Sequence, residues 1–288
     1  MSVAVARRHP DWLKVRAPGG PGFAETAATV RELGLHTVCQ EARCTNVGEC
    51  WGHRTATLML LGDVCTRNCG FCAVAHGRPR TVDPDEPRRV AEGVARLGLR
   101  HVVVTSVDRD DLPDGGAAHF AATARAIKSL LPDCRVEVLV PDFKGRSASV
   151  AEVAEAPIDV FNHNLETVPR LYPRVRAGAR YGRSLGVLRE AKAIRAGFLT
   201  KAGLMLGLGE QEAELVKVFE DLCAVRCDVL TLGQYLRPSE EHLPVERYVH
   251  PDEFAALRAR ALALGFRHVE AGPLVRSSYH AWTHVPPC

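Results

Sequence analysis

From residue 57 onward, short apolar runs alternate with amphipathic helical stretches, and no other feature restricts the fold of this chain as much. TLMLLG (57–62), HVVVTSV (101–107), RVEVLVPD (135–142), IDVFNHNLE (158–166), LTKAGLMLGLG (199–209) and DVLTLGQYL (228–236) are the apolar runs. Most are apolar throughout, as strands covered on both faces of a parallel sheet must be. Between them, 86–98, 117–131, 183–197, 210–225 and 251–265 carry apolar residues at helical spacing, and several stop at glycine. Six strand-plus-helix units of about 30 residues make repeated βαβ crossovers. A closed (β/α)8 barrel needs eight. The expectation is an α/β fold, an open partial (β/α)6 TIM-like barrel over 57–265. An N-terminal extension (1–56) and a C-terminal one (266–288) flank it. Chemistry in such barrels sits in the loops after the strands.

The cysteines fall where that rule points. Six of the ten lie within 34 consecutive residues, 39–72. Cys39, Cys44 and Cys50 are spaced C-x4-C-x5-C, in the N-terminal extension. Cys65, Cys69 and Cys72 are spaced C-x3-C-x2-C in CTRNCGFC, directly after the first strand. Buried structural cysteines do not cluster in this way. The N-terminus MSVAVARRHPDW lacks the apolar run of a signal peptide. No stretch approaches the roughly 20 apolar residues that span a bilayer. The expected location is the cytoplasm, where thiols stay reduced and cysteines serve as metal ligands, catalytic thiols or small core residues rather than as a disulfide framework. The net charge of +3 is too small to indicate a nucleic-acid partner, and the arginine pairs Arg78/Arg80 and Arg88/Arg89 read as solvated faces. A [4Fe–4S] cluster takes one ligand per iron, so three thiolates leave one iron open to a small molecule. Structural zinc takes four protein ligands, usually in paired spacings unlike this one.

C-x3-C-x-aromatic-C, with Phe71 before the last cysteine, resembles the signature of the radical S-adenosylmethionine (SAM) enzymes. The resemblance implies that Cys65, Cys69 and Cys72 ligate a cluster whose open iron chelates SAM, and that reduction yields a 5′-deoxyadenosyl radical. CQEARCTNVGEC (39–50), TSVDRDDLPDGG (105–116), FNHNLETVPRLY (161–172), GLMLGLGE (203–210), LTLGQYLRPS (230–239), HLPV (242–245) and RSSYHA (276–281) further resemble lipoyl synthase. The likeness runs from about Trp12 to Ala281. It implies a second [4Fe–4S] cluster on Cys39, Cys44, Cys50 and the oxygen of Ser278. It also implies that this auxiliary cluster is consumed as the source of sulfur. Two sulfur atoms would enter at carbons 6 and 8 of an octanoyl chain on a lysine of a lipoyl carrier domain. That carrier would be of the glycine-cleavage or the 2-oxoacid dehydrogenase type. A flavodoxin or ferredoxin would supply low-potential electrons. A monomer, with neither nucleic acid nor membrane as partner, is the default.

Lesser assignments stay open between two readings. Gly207 and Gly209 either let SAM approach the backbone or make a tight strand-to-helix turn. Asn164 and Glu166 stand where SAM's polar groups would hydrogen-bond, while His163 suits a core position. Arg109, Asp110 and Asp111 share that barrel face or form a solvated loop. Arg276 suits a bidentate anchor for the C-terminal loop. Cys134 reads as core, Cys223 and Cys227 as a poor metal pair, and Cys288 as a free thiol. Thr45 and Ala202 replace residues common in the family, a proline and a serine, and remove no ligand. Three rivals are another sulfur-inserting radical SAM enzyme, a two-cluster electron carrier and a structural zinc protein. RNA work would need an added basic module that the chain lacks. A carrier would need eight cluster cysteines.

Overall fold

The computed structural model describes residues 9–15 and 17–284, so Cys288 lies outside the described residues. The N-terminal region forms α1 (Pro21–Glu32), β1 (His36–Thr37), α2 (Val38–Glu41) and α3 (Val47–Gly52). The repeating part follows as β2 (Thr57–Leu60), β3 (Val64–Cys65), β4 (Ala75–His76), α4 (Glu86–Arg96), β5 (His101–Ser106) and α5 (Ala117–Leu130). It continues as β6 (Arg135–Leu139), α6 (Ser147–Glu155), β7 (Val160–Asn162), α7 (Tyr172–Val175) and α8 (Tyr181–Ile194). It ends as β8 (Leu199–Leu206), α9 (Glu212–Ala224), β9 (Val229–Gln234), α10 (Pro251–Leu264) and β10 (His268–Gly272).

The main sheet has the order β1-β2-β5-β6-β7-β8-β9-β10. Every pairing in it is parallel except β1 with β2. Strand order follows chain order, and β1 and β10 lie at opposite edges, so the barrel is open. The six expected strands are all present, each shorter than its apolar run. The run 158–166 is regular strand only as β7; beyond it Glu166, with a left-handed φ of 68°, rejoins β8 in an isolated parallel bridge to Leu204. The C-terminal extension differs from expectation. It contributes a seventh parallel strand, β10, hydrogen-bonded to β9. The charged alternation of HVEAG gives no apolar run to mark it. Helix α6 was likewise unmarked, because SASVAEVAE is short and weakly patterned.

Local signals explain the helices that were legible. Helix α9 starts in a capping box between Gln211 and Glu214. Helix α10 starts in another between His250 and Glu253, with proline in its first turn, and stops at Gly265 with φ 110°. Inside the barrel, the fully buried Lys201 of β8 donates to Glu137 of β6 at 2.8 Å. Asn162 donates to the same carboxylate at 2.9 Å. Burial drives Glu137 up, but Lys201 and His101 outweigh it and hold the carboxyl at about 2.

The segment after β10 crosses from one edge of the sheet to the other. Asn46 donates to the Leu274 carbonyl at 2.7 Å. Thr57, which opens β2, donates to Ser278 at 2.7 Å. Tyr279 donates to Glu49 at 3.1 Å. Gly233 in β9 allows the crossing, because a Cβ there would stand 2.0 Å from the Val275 carbonyl oxygen.

Candidate active site

A cavity of about 480 Å3 opens at the ends of the strands, and two of the three cysteines of the N-terminal group line it together with all three of CTRNCGFC. Cys39 and Cys44 reach it from α2 and the turn that follows, where the Cys44 amide donates to the Cys39 carbonyl at 3.1 Å. Cys50 stands behind them on α3; Cys39, Cys44 and Glu49 are close enough to add to the rise that burial imposes on its thiol, to about 12. Burial also pushes up Cys39, against a hydrogen bond from the Thr57 amide. Thr57 therefore joins two expected ligands, touching the Cys39 sulfur through its backbone and Ser278 through its hydroxyl.

On the opposite wall, β3 and β4 pair as a short parallel ladder and hold Cys69 and Cys72 in the loop between them. Phe71 packs on the core and lines the cavity. The amides of Arg67 and Asp108 donate to Cys65 at 3.4 and 3.3 Å. Burial raises all three thiols, Cys69 to about 12 and Cys72 to about 11. As free thiols they stay protonated near neutrality; a bound metal would compensate their charge.

Arg67 fixes this loop. Its guanidinium is bidentate to Asp110 at 2.8 and 2.8 Å and donates to Asp142 at 2.7 Å. Burial opposes its charge, but the three carboxylates of Asp110, Asp108 and Asp142 outweigh that and raise its pKa. From the other side, His242 meets the Cys72 carbonyl at 3.0 Å, and the Leu243 amide donates to Gly70 at 3.0 Å. Arg67 and His242 were not singled out from the sequence. Arg67 had one available signal, a basic residue inside the cysteine motif with acidic residues just beyond the next two strands.

Asn164 and Glu166 line the cavity as expected. Asn164 donates to Glu166 at 3.0 Å and to Ser277 at 2.5 Å. Burial raises the Glu166 carboxyl. His163 is a core histidine; its Nδ1 meets the Val140 carbonyl at 2.8 Å, and burial lowers it to about 3. Gly207 and Gly209 stand apart from the cavity lining. Both have φ of 100°, and a Cβ at Gly207 would lie 2.5 Å from the Arg247 carbonyl oxygen. Those φ values are ones a tight strand-to-helix turn requires. Gly203 does line the cavity, where a Cβ would meet Asn164 Oδ1 at 2.7 Å.

Other expectations shift as well. Arg109 is buried and pairs with Asp111 at 2.8 Å, so this loop is a clamp and not a solvated turn. Arg276 lines the cavity but is not a bidentate anchor; it donates to the Val275 carbonyl at 2.6 Å and has no carboxylate partner among the described residues. Arg176, unmarked in the sequence, reaches the cavity wall and donates to the Asn164 carbonyl at 2.7 Å and to Ser184 at 2.9 Å. Thr45 lines the cavity, whereas Ala202 is buried outside it. Cys134 and Cys227 are buried. Cys223 points to the Leu264 carbonyl and Cys227 to that of Thr200, so the two thiols do not converge.

The residues present fit the groups that the motifs imply. All six clustered cysteines are free thiols, the donors that iron–sulfur clusters take. Asn164 Oδ1 and Ser106 Oγ, buried and without partners among the described residues, belong to residues of the cavity wall and suit a small polar ligand. The cavity volume falls in the usual range for such ligands.

An open parallel barrel with three free thiols in the loop after its first parallel strand defines an enzyme of the radical SAM superfamily, whose family model matches residues 59–222. The model for the N-terminal domain of lipoyl synthase matches residues 3–44. The chain belongs to the lipoyl synthase family. It is 61% identical to the lipoyl synthase of Rubrobacter xylanophilus over 94% of this chain and 85% of that one. It is 58% identical to that of Thermus thermophilus, over 96% and 86%. Among solved structures, methylornithine synthase matches with a TM-score of 0.54 at 14% identity, over 89% of this chain and 79% of that one. SuiB of Streptococcus suis, bound to its precursor peptide, matches with a TM-score of 0.58 at 12% identity, over 86% and 52%. These two likenesses concern the fold. No described helix is long and apolar enough to cross a membrane.

Proposed function

We propose that this chain inserts two sulfur atoms, at carbons 6 and 8, into an octanoyl chain carried on a lysine of a lipoyl carrier domain. The observation that carries the reading is one cavity faced by both cysteine groups and by the RSSY loop. Bound there, one [4Fe–4S] cluster with SAM would supply a radical able to break an unactivated C–H bond, and the other would supply sulfide. Cys65, Cys69 and Cys72 would hold the first, and Cys39, Cys44, Cys50 and Ser278 the second. Phe71 packs beside the first set and shields it from water. Asn164 and Glu166 would hydrogen-bond SAM's polar groups. Arg67 and His242 keep the cysteine loop rigid. Thr57 orients Ser278 by donating to its oxygen, which keeps a further lone pair for a ligand. An oxygen donor is harder than thiolate and a poorer match for iron–sulfur ligation, which suits a cluster that must give up sulfur.

The partner is an octanoylated carrier domain, the electron donor a flavodoxin or ferredoxin, and the working form a monomer in the cytoplasm. The chain divides functionally into 1–56, 57–265 and 266–288, with the two flanks together enclosing the auxiliary cysteines. The test is anaerobic. Reconstituted protein is given dithionite, SAM and an octanoyl-lysine peptide, and peptide mass and 5′-deoxyadenosine are followed together. A gain of two sulfurs supports the reading. Deoxyadenosine without sulfur gain, on a peptide seen to bind, overturns the substrate.

A further inference from the structure

A second cluster of ligating side chains lies away from the cavity, and none of its residues lines it. His268 opens β10, and Glu270 follows two residues later on the same face of the strand. His284 reaches them from beyond the RSSY loop. One ring nitrogen from each histidine and one oxygen of Glu270 lie within 4.8 Å of one another. His268 Nε2 stands 3.4 Å from Glu270 Oε2. The two imidazole rings are 4.8 Å apart and tilted by 33°. His284 is only 4% exposed, yet neither of its ring nitrogens has a hydrogen-bond partner among the described residues, and nor has His268 Nε2. Burying polar nitrogens unpaired is unfavourable, so the cluster calls for something that takes up their lone pairs.

We propose that His268, Glu270 and His284 bind one divalent transition-metal ion of the zinc class. Two imidazoles and a carboxylate form a donor set typical of zinc, with water completing the tetrahedron. Calcium and magnesium prefer oxygen donors alone, and copper(I) prefers sulfur. Zinc–nitrogen bonds of about 2.0–2.1 Å put tetrahedral ligands roughly 3.3 Å apart. The His268–Glu270 pair already has that spacing. Closing His284 by roughly 1.5 Å from the 4.8 Å spread, within the reach of a side-chain rotation, completes the set. The buried Lys201 nearby does not oppose the ion with a free charge, because Glu137 neutralises it at 2.8 Å. The ion would staple the C-terminal segment, which carries Ser278, to β10.

The test uses anaerobic holoprotein with both clusters in place, so that the six clustered thiolates are occupied. Zinc is added, unbound metal is removed, and zinc and iron are counted. Zinc-edge X-ray absorption then identifies the neighbours. The expected result is one zinc per chain with only nitrogen and oxygen neighbours at about 2.0–2.1 Å, and a raised melting temperature. His284→Ala and Glu270→Gln should each weaken zinc uptake at least tenfold and remove the melting shift, with iron unchanged. Glu270 is half-buried and glutamine keeps its size, so this variant decides the matter even where His284→Ala fails to fold. No retained zinc, sulfur neighbours near 2.3 Å, or uptake unchanged in Glu270→Gln would overturn the proposal.

Discussion

Thr57 and Arg67 hold the chain around the two cysteine groups, Thr57 by its bonds to Cys39 and Ser278 and Arg67 by its pairing with Asp110 and Asp142. Cysteine spacing is a local quantity, so both groups were legible in the sequence. Ser278 enters as a proposed ligand only through likeness, because RSSY alone is an ordinary polar loop. Removing Cys44 by Cys44→Ala should abolish sulfur gain and leave dithionite-driven deoxyadenosine formation in place. Cys69→Ala should abolish both, as read by mass spectrometry of peptide and nucleoside. Thr57→Val removes the bond to Ser278 at a cost of about 1 kcal/mol. It should lower sulfur insertion more than SAM cleavage. Arg67→Met leaves Asp142 with Arg183 alone and Asp110 with only a distant Lys144, and loss of one partner of a buried pair costs up to about 3–5 kcal/mol. Urea denaturation should show that loss; a midpoint within error of the parent would refute the clamp.

At the scale of elements, two segments of irregular chain are held by regular ones. The CTRNCGFC loop is fixed by ion pairs to the chain beyond β5 and β6 and by HLPV. The RSSY segment is fixed by β2, α3 and the loop before α3. Helices with caps and full apolar stripes were legible, and so were strands with β-branched runs. Strand β10 was not, because HVEAG at the sheet edge needs no continuous apolar run. Gly233→Ala would drive a Cβ to within 2.0 Å of the Val275 carbonyl oxygen. It should displace the C-terminal segment, cost about 1–3 kcal/mol, and expose the chain after β10 to limited proteolysis.

Across the whole molecule, the barrel interior buries the ion pair of Lys201 with Glu137. Glu137, held at about 2 against an ordinary 4.5, is lower folded than unfolded. Its pairing therefore stabilises the protein above pH 4.5, and that contribution fades as pH falls from 4.5 toward 2. Lys201→Met should flatten this part of the stability–pH profile in thermal melts at several pH values. It should also lower stability near neutrality, since Glu137 is then buried with weaker compensation. An unchanged profile would remove Glu137 as its source.

The sequence by itself determined the alternating α/β plan, the two cysteine triplets and the class of chemistry they serve. Each of these is written in neighbouring residues, as periodicity or as spacing. Only the tertiary structure decided that both groups open toward one cavity, that Arg67 locks one of them, and that Thr57 stands between Cys39 and Ser278. It also decided that the segment after β10 bridges the open side of the barrel. Apart from Thr57 with Cys39, those contacts join residues from 43 to more than 220 positions apart. Such pairs leave no local pattern, because their partners become neighbours only when the sheet has curled.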